Sequence, residues 1–430
     1  MAQSSAESFS RSLWFATAAE PAVADGGAVS GSADVVVIGG GITGCAAALA
    51  AAETGASVIL YETHEIGWGA SGRNGGQVIP GLKLDPSEMR ATFGEAAGRS
   101  LTEAVGSAPD LVFDLIARHG IDCSPQRAGW LQGAHSQAAL SRVQKRAREW
   151  LALGAPVALL DATQVARMTG TEVYVGGWID RRAGTLNPLA YVRGLARAAS
   201  ARGVKIRQRM PVTGLRREAG SWRVSTAAGE VTAGKVIVST DAYTDALLPG
   251  LAQTLLPVQS ALIATDPLPD GLENTIMPDG LCCSETRRLA FYFRLSPDRR
   301  LVFGGRGAVG DAELPLFTDA LVAAMHRIFP QVRGVPVAYR WSGQVGLTLD
   351  GLPHVHEPEP GLVVGLGYNG RGIAMASRMG HWLADLALRG ERPPLPSVPI
   401  APIAWHAMRR PAIALGIGWA WLKDRTGLAA

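Results

Sequence analysis

The chain has 430 residues, of which 47% are hydrophobic and only 18% charged, so it can bury a large core and is neither disordered nor halophile-like. Its net charge of +4 contains no long basic run, which excludes an electrostatic footprint for nucleic acid, and four cysteines without C-x-x-C spacing are too few to staple such a chain, which points to a reducing cytoplasm. Glycine is the outlier: 52 Gly beside 26 Pro, with no Gly-X-Y period, call for many tight turns and close backbone approaches.

In chain order, residues 1–33 are rich in Ala, Ser and Gly and are expected to form a flexible arm, with the apolar run at 13–19 too brief for a signal peptide. DVVVIG at 34–39 is a continuous apolar run of the kind a parallel strand buried on both faces needs; an alanine-rich helix at 45–52 and a second buried strand, SVILYE at 57–62, follow. Asp85-Pro86-Ser87-Glu88 starts a helix, and helices are expected to about 153, the basic residues between 136 and 153 forming a solvated face. Asn187-Pro188 starts another helix that ends near Gly203; strands are expected at 204–209, 222–226 and 235–240, then mixed strands over 255–310, a helix at 318–329 and a last strand at 361–367 before a second glycine-rich helix start.

Sheet material of the nucleotide-binding type thus recurs with other material between. The fold class expected is α/β: a discontinuous Rossmann-type dinucleotide-binding domain (34–85, 155–245 and 335–395) interleaved with a mixed-sheet α+β substrate domain (86–154 and 246–334), with a tail at 396–430 packing on the body. The apolar stretch 411–421, flanked by Arg409, Arg410, Lys423 and Arg425, is shorter than the ~20 residues of a membrane span; a docked helix and peripheral contact with a membrane surface both stay open.

Gly39, Gly41 and Gly44 form G-x-G-x-x-G between strand and helix, with Ile42 and Thr43 inside the turn. Glu62 ends the next strand. The first glycine permits the turn, the second lets a pyrophosphate reach the backbone, the third lets helix and strand pack, and the acid accepts from the adenosine ribose. The second glycine-rich stretch, 67–78, carries Ser71, Gly72, Arg73, Asn74, Gly75, Gly76 and Gln77. A nicotinamide has no need of it, whereas an isoalloxazine must be held by backbone amides and polar groups, so the cofactor expected is FAD. Gly69-Ala70-Ser71-Gly72 falls short of a hydrolase elbow, His354 and His356 lack metal-site company, so no metal is expected, and Cys282 and Cys283 read as packing residues.

DVVVIGGGITG and EIGWGASGRNGGQ (65–77) resemble the D-amino-acid oxidase superfamily of FAD-dependent amine and amino-acid oxidoreductases, and within it the gamma-glutamylputrescine oxidase branch, in which SGRNGGQ is characteristic. The likeness continues through LNPL (186–189), VIVSTDAY (236–243), YFRLSPDRRLVFGG (292–305), YRWSG (339–343), GYNGRG (367–372) and WLKDRTG (421–427). It implies oxidation of the CH–NH bond of an amine, gamma-glutamylputrescine-like or another primary or secondary amine, by hydride transfer to flavin N5, with imine hydrolysis and O2 or another acceptor taking the electrons; the alternatives are an amino-acid dehydrogenase passing electrons to quinone and a flavin-binding protein without turnover. It also implies that Gly39 to Gly44 and Glu62 hold the ADP half, that Val212 meets the adenine through its backbone, that Ser71 to Gln77 and Gly343 lie along the flavin, and that Gly370, Gly372 and Ile373 face its pyrimidine. Arg371 replaces a His of the relatives, a fixed cation that could attract a carboxylate. Relatives that bind flavin covalently use an early His or a late Cys; Arg73 and Asn74 occupy the early segment and no cysteine follows Cys283, so FAD is expected to be noncovalent, and His64 reads as a strand-end surface residue. Tyr292 and Arg294 alternate in a strand of the sheet that, by resemblance, roofs the substrate. Arg294 either clamps a substrate carboxylate or forms a structural salt bridge, and Tyr368 either lines the pocket or packs in the core.

Overall fold

The computed structural model describes residues 8–26, 31–308 and 314–426. The strands apolar on both faces lie where that composition can be satisfied, side by side in a sheet. Its order is His354–Glu359, Leu362–Leu366, Gly229–Val238, Ser32–Ile38, Val58–Tyr61, Lys205–Arg207, parallel except at the His354–Glu359 edge. A ribbon of Val212–Glu218 and Ser221–Thr226 branches antiparallel from Gly229–Val238. The helix Ile42–Glu53 is buried along nearly its whole length, which its alanines allow. It lies close against the helix Gly372–Arg389: a Cβ at Gly380 would stand 2.6 Å from the Thr43 carbonyl oxygen and 2.7 Å from Ala46 Cβ.

A second sheet runs in the order Val337–Leu347, Leu256–Pro267, Arg300–Ala308, Tyr292–Leu295, Cys282–Glu285, Trp130–Gly133, Gly176–Asp180, Val157–Asp161. Its pairs are antiparallel except Cys282–Glu285 with Trp130–Gly133. Three expectations are corrected here. Val157–Asp161 with Gly176–Asp180, and Val337–Leu347, belong to this sheet, not to the dinucleotide-binding one, and Trp130–Gly133 is a strand inside a stretch expected to be helical. Trp130–Gly133 and Val337–Leu347 find partners far off in sequence, and Val157–Asp161 joins only through Gly176–Asp180, whose other neighbour is Trp130–Gly133; local periodicity does not carry such pairing.

The expected flexible arm is also corrected for residues 8–26; residues 1–7 and 27–30 lie outside the described residues. Ser12 caps the short helix Leu13–Thr17, and Leu13 and Trp14 of that helix, with Phe9 before it, are buried. The Trp14 indole donates to the Asn74 carbonyl (2.7 Å) and meets Trp341 edge-on, Glu20 pairs with Arg197 at 2.9 Å, and Gly26 donates to Ile206 at the sheet edge. An Ala/Ser/Gly-rich composition hid three large apolar side chains whose burial outweighs the cost of ordering the segment.

Of the tail, residues 427–430 lie outside the described residues. The segment before the helix Arg409–Thr426 is tied down by Ile403 donating to Gln253 and by His406 Nε2 at 3.0 Å from the Leu255 carbonyl, while Leu415 (75% exposed) and Trp419 (57%) face outward. Among the described residues no helix is long and apolar enough to cross a membrane.

Trp14→Ala should lower unfolding stability by roughly 3–5 kcal/mol through cavity formation; a urea unfolding midpoint equal to the parent's would mean that the N-terminal helix is not part of the core.

Candidate active site

The helices Ile42–Glu53 and Gly372–Arg389 start side by side on one cavity of about 900 Å³, lined by residues of both sheets. Gly39 turns the chain out of the first strand at φ +109°, a Cβ at Gly41 would stand 2.8 Å from Ser71 Oγ, and a Cβ at Gly44 would overlap the Gly39 carbonyl oxygen. The G-x-G-x-x-G spacing is therefore a contact requirement. Gly39, Gly41, Ile42 and Thr43 lie on the wall, and Gly44 works behind it as a packing residue. Ser71 Oγ accepts the Ile42 N–H (2.9 Å), capping a helix whose own N-cap is glycine. Glu62, also on the wall, accepts from Gly40 N (2.6 Å) and His64 N (2.7 Å); burial pushes its carboxyl up against the opposing pull of these backbone donors. An aligned helix N-terminus beside such an acid can take a phosphate and a ribose. His64 is exposed, as expected of a strand end, and it also lines the mouth, stacked on Trp68 at 3.8 Å.

Ser71, Arg73, Asn74, Gly75 and Gln77 line the next stretch of wall. Gly72 and Gly76 lie behind it, where a Cβ would overlap the carbonyl oxygens of Gly67 and Leu186. Asn74 braces the loop, donating to the Ala70 and Ser71 carbonyls and accepting from Gly76 N. Arg73 donates to the Trp68 carbonyl (2.7 Å), and a Cβ at Gly343, itself on the wall, would stand 3.1 Å from Arg73 Cβ. Val212, expected at the adenine, is off the wall: it heads a strand of the side ribbon and is buried with Trp222 and Val224.

On the far side, Tyr292 hydroxyl lies 2.8 Å from Ser260 Oγ and Tyr368 hydroxyl 2.6 Å from Thr43 Oγ1; both rings are on the wall, and burial pushes both phenols up. Gly370 (φ +82°), Arg371, Gly372 and Ile373 are there too. Arg371 donates to the Pro80 carbonyl (2.7 Å) over the face of Trp130, and burial beside Arg146 brings it down to about 9.

Arg294 is corrected. Alternation puts it on the same strand face as Tyr292, but the residues around Gly76 and Leu186 come between it and the cavity. It is 2% exposed, donates to the Leu186 carbonyl (2.8 Å) over the ring of Trp14, and forms no ion pair among the described residues. Neither the carboxylate clamp nor the salt bridge is its role.

Two cations that sequence reasoning missed take its place on the wall, Lys83 and Arg306. Arg306 was within reach: Tyr292 pairs with Gly304 in the sheet, so strand alternation carries Arg306 to the same face. Lys83 sits in a loop, where no periodicity applies. Burial, with Arg306, Arg371 and Arg146 nearby, brings Lys83 down to about 7. The cavity therefore joins a glycine cradle with an acid at one end to two phenols and three cations at the other, a set that fits a flavin dinucleotide and a substrate with an anionic group.

Residues 34–386 match the DAO family, described as FAD dependent oxidoreductase. The chain is 32% identical over 404 residues to gamma-glutamylputrescine oxidoreductase of Escherichia coli K12, covering 92% of this chain and 93% of that protein. It is 25% identical over 369 residues to glycine oxidase of Bacillus licheniformis, covering 83% and 93%. Among solved structures its fold is similar to that of L-proline dehydrogenase from P. horikoshii, with a TM-score of 0.71 at 20% identity over 84% of this chain and 95% of that one. The chain belongs to the DAO family of FAD-dependent oxidoreductases.

Proposed function

We propose that this enzyme oxidises the CH–NH bond of a primary or secondary amine that also carries a carboxylate, with gamma-glutamylputrescine as the reference substrate, and that it holds FAD noncovalently. FAD, when bound, supplies the two-electron acceptor that turns the amine into an imine for water to hydrolyse. Gly39, Gly41, Ile42 and Thr43 would meet its diphosphate and Glu62 its ribose. Ser71, Arg73, Asn74, Gly75, Gln77 and Gly343 would lie along the ring, with Gly370, Gly372 and Ile373 at its pyrimidine end, where a helix N-terminus favours negative charge. Noncovalent binding is supported by the four cysteines, all buried and none on the cavity wall.

The observation that carries the substrate reading is the trio Lys83, Arg306 and Arg371. They share the wall with Tyr292 and Tyr368, and none forms an ion pair among the described residues. Lys83, Arg306 and Arg371 repel one another across this wall, and a carboxylate on the ligand would offset that repulsion. The two phenols stay protonated at neutral pH, so they position the amine and do not deprotonate it. The name of the relative in Escherichia coli supports the same substrate class.

Anaerobic mixing with a panel of amines, gamma-glutamylputrescine first, should bleach the yellow protein, and failure with every amine and amino acid would end this reading. Lys83→Met or Arg306→Met should raise KM for a carboxylate-bearing amine roughly 10- to 100-fold, as expected for losing a hydrogen bond to a charged group, while KM for putrescine hardly moves. Because Lys83 is a cation below about 7 and neutral above it, kcat/KM for the carboxylate-bearing amine should lose one limb as pH rises through that value. Lys83→Met should lack this limb. Gly44→Ala should purify colourless, since its methyl would overlap the Gly39 carbonyl oxygen; a variant with full flavin content would refute the packing argument.

A further inference from the structure

We propose that Asp424, on the C-terminal helix, is a positioning residue for the cavity mouth: it fixes the tip of the hairpin between Cys282–Glu285 and Tyr292–Leu295 and thereby sets affinity for the substrate. The affinity part rests on the reading of this cavity as an amine site.

Ser284, Glu285, Thr286, Arg287, Arg288 and Ala290 of this hairpin line the cavity. Its base is held from within the second sheet. Thr286 donates through its backbone to the Gly133 carbonyl (3.2 Å), and its hydroxyl meets His135 Nδ1 at 2.8 Å; at the other side Phe291 N donates to Glu285 Oε1 (3.2 Å). The tip is held from elsewhere. The backbone N–H groups of Arg288 and Leu289 each donate to one carboxylate oxygen of Asp424, both at 3.2 Å, and the Arg288 guanidinium stands 3.6 Å from the same group. A carboxylate that accepts two consecutive backbone donors fixes the course of the loop between them, which no side-chain ion pair alone would do.

The rest of the helix points to the same role. Its outward face leaves Leu415 and Trp419 largely exposed, whereas the Asp424 side chain near its far end is only 10% exposed. The segment leading into it is anchored beside Gln253 and Leu255, so the helix bridges from that anchor to the mouth of the cavity. Arg287 is engaged by Glu285 and Arg288 by Asp424, whereas Lys83, Arg306 and Arg371 form no ion pair among the described residues. An anionic substrate is thus drawn past the mouth to the unpaired cations, and loss of Asp424 both loosens the tip and frees a competing cation there.

The test compares the full-length flavoprotein with Asp424→Ala, Asp424→Asn and Arg288→Ala. Asp424→Ala should be cut by trypsin after Arg287 or Arg288 roughly tenfold faster than the parent and should raise KM for gamma-glutamylputrescine roughly tenfold with kcat within about twofold, as expected for two lost charge-assisted hydrogen bonds at a loop tip. Asp424→Asn, which keeps one carbonyl acceptor, should fall between. Arg288→Ala keeps both backbone donors, so cutting after Arg287 should stay slow. Unchanged cutting in Asp424→Ala, an opened hairpin with KM unmoved, or kcat falling as much as KM rises would each overturn the proposal. Bleaching of the parent by amines tests the amine reading separately, because the trypsin rates report on the hairpin contact whether or not any amine is oxidised.

Discussion

Everything in the cavity depends on how closely the helix Ile42–Glu53 can be approached. On one side Gly44 lets it touch the turn at Gly39, and on the other Gly380 lets a second helix reach Thr43 and Ala46. With a methyl group at either place the two helix N-termini could not open on the same space. Their convergence puts the Gly39–Gly41 turn and the Gly370–Ile373 stretch in one cavity, and it brings the Tyr368 hydroxyl within 2.6 Å of Thr43 Oγ1. The alanine run that reads as mere helix propensity is also what makes this approach possible.

The second constraint is electrostatic. The chain gathers Lys83, Arg306 and Arg371 on one stretch of wall and gives their charges no acid partner among the described residues, while the cations at the mouth, Arg287 and Arg288, are paired. This asymmetry resembles a site built for an anionic group more than it resembles a structural salt-bridge network, in which acids would alternate with bases. Arg294 shows the contrast: at 2% exposed it is more deeply buried than any of the three, and it is spent on a carbonyl and an indole face.

The N- and C-terminal segments serve the same cavity from outside. Trp14 donates to Asn74, which braces the loop 70–76, and Asp424 holds the hairpin at the mouth. Composition pictured the N-terminal segment as a loose arm. Two indole rings in edge-on contact, Trp14 and Trp341, are what a composition average cannot register.

By itself the sequence determined the local chemistry. The turn at Gly39, Gly41 and Gly44 and the strand end at Glu62 were legible because strand, turn, helix and strand are consecutive there, and the stretch from Ser71 to Gln77 stood out by its glycines, although its contacts reach Leu186, Cys283 and Gly343. The strand at Trp130–Gly133, the entry of Val157–Asp161, Gly176–Asp180 and Val337–Leu347 into the second sheet, the place of Arg294 and Val212 off the cavity wall, the recruitment of Lys83, and the reach of Asp424 to Arg288 were decided only by tertiary structure. There the choice between permitted faces or partners is made by packing and hydrogen bonding across the assembled sheets and loops, which periodicity and composition do not encode.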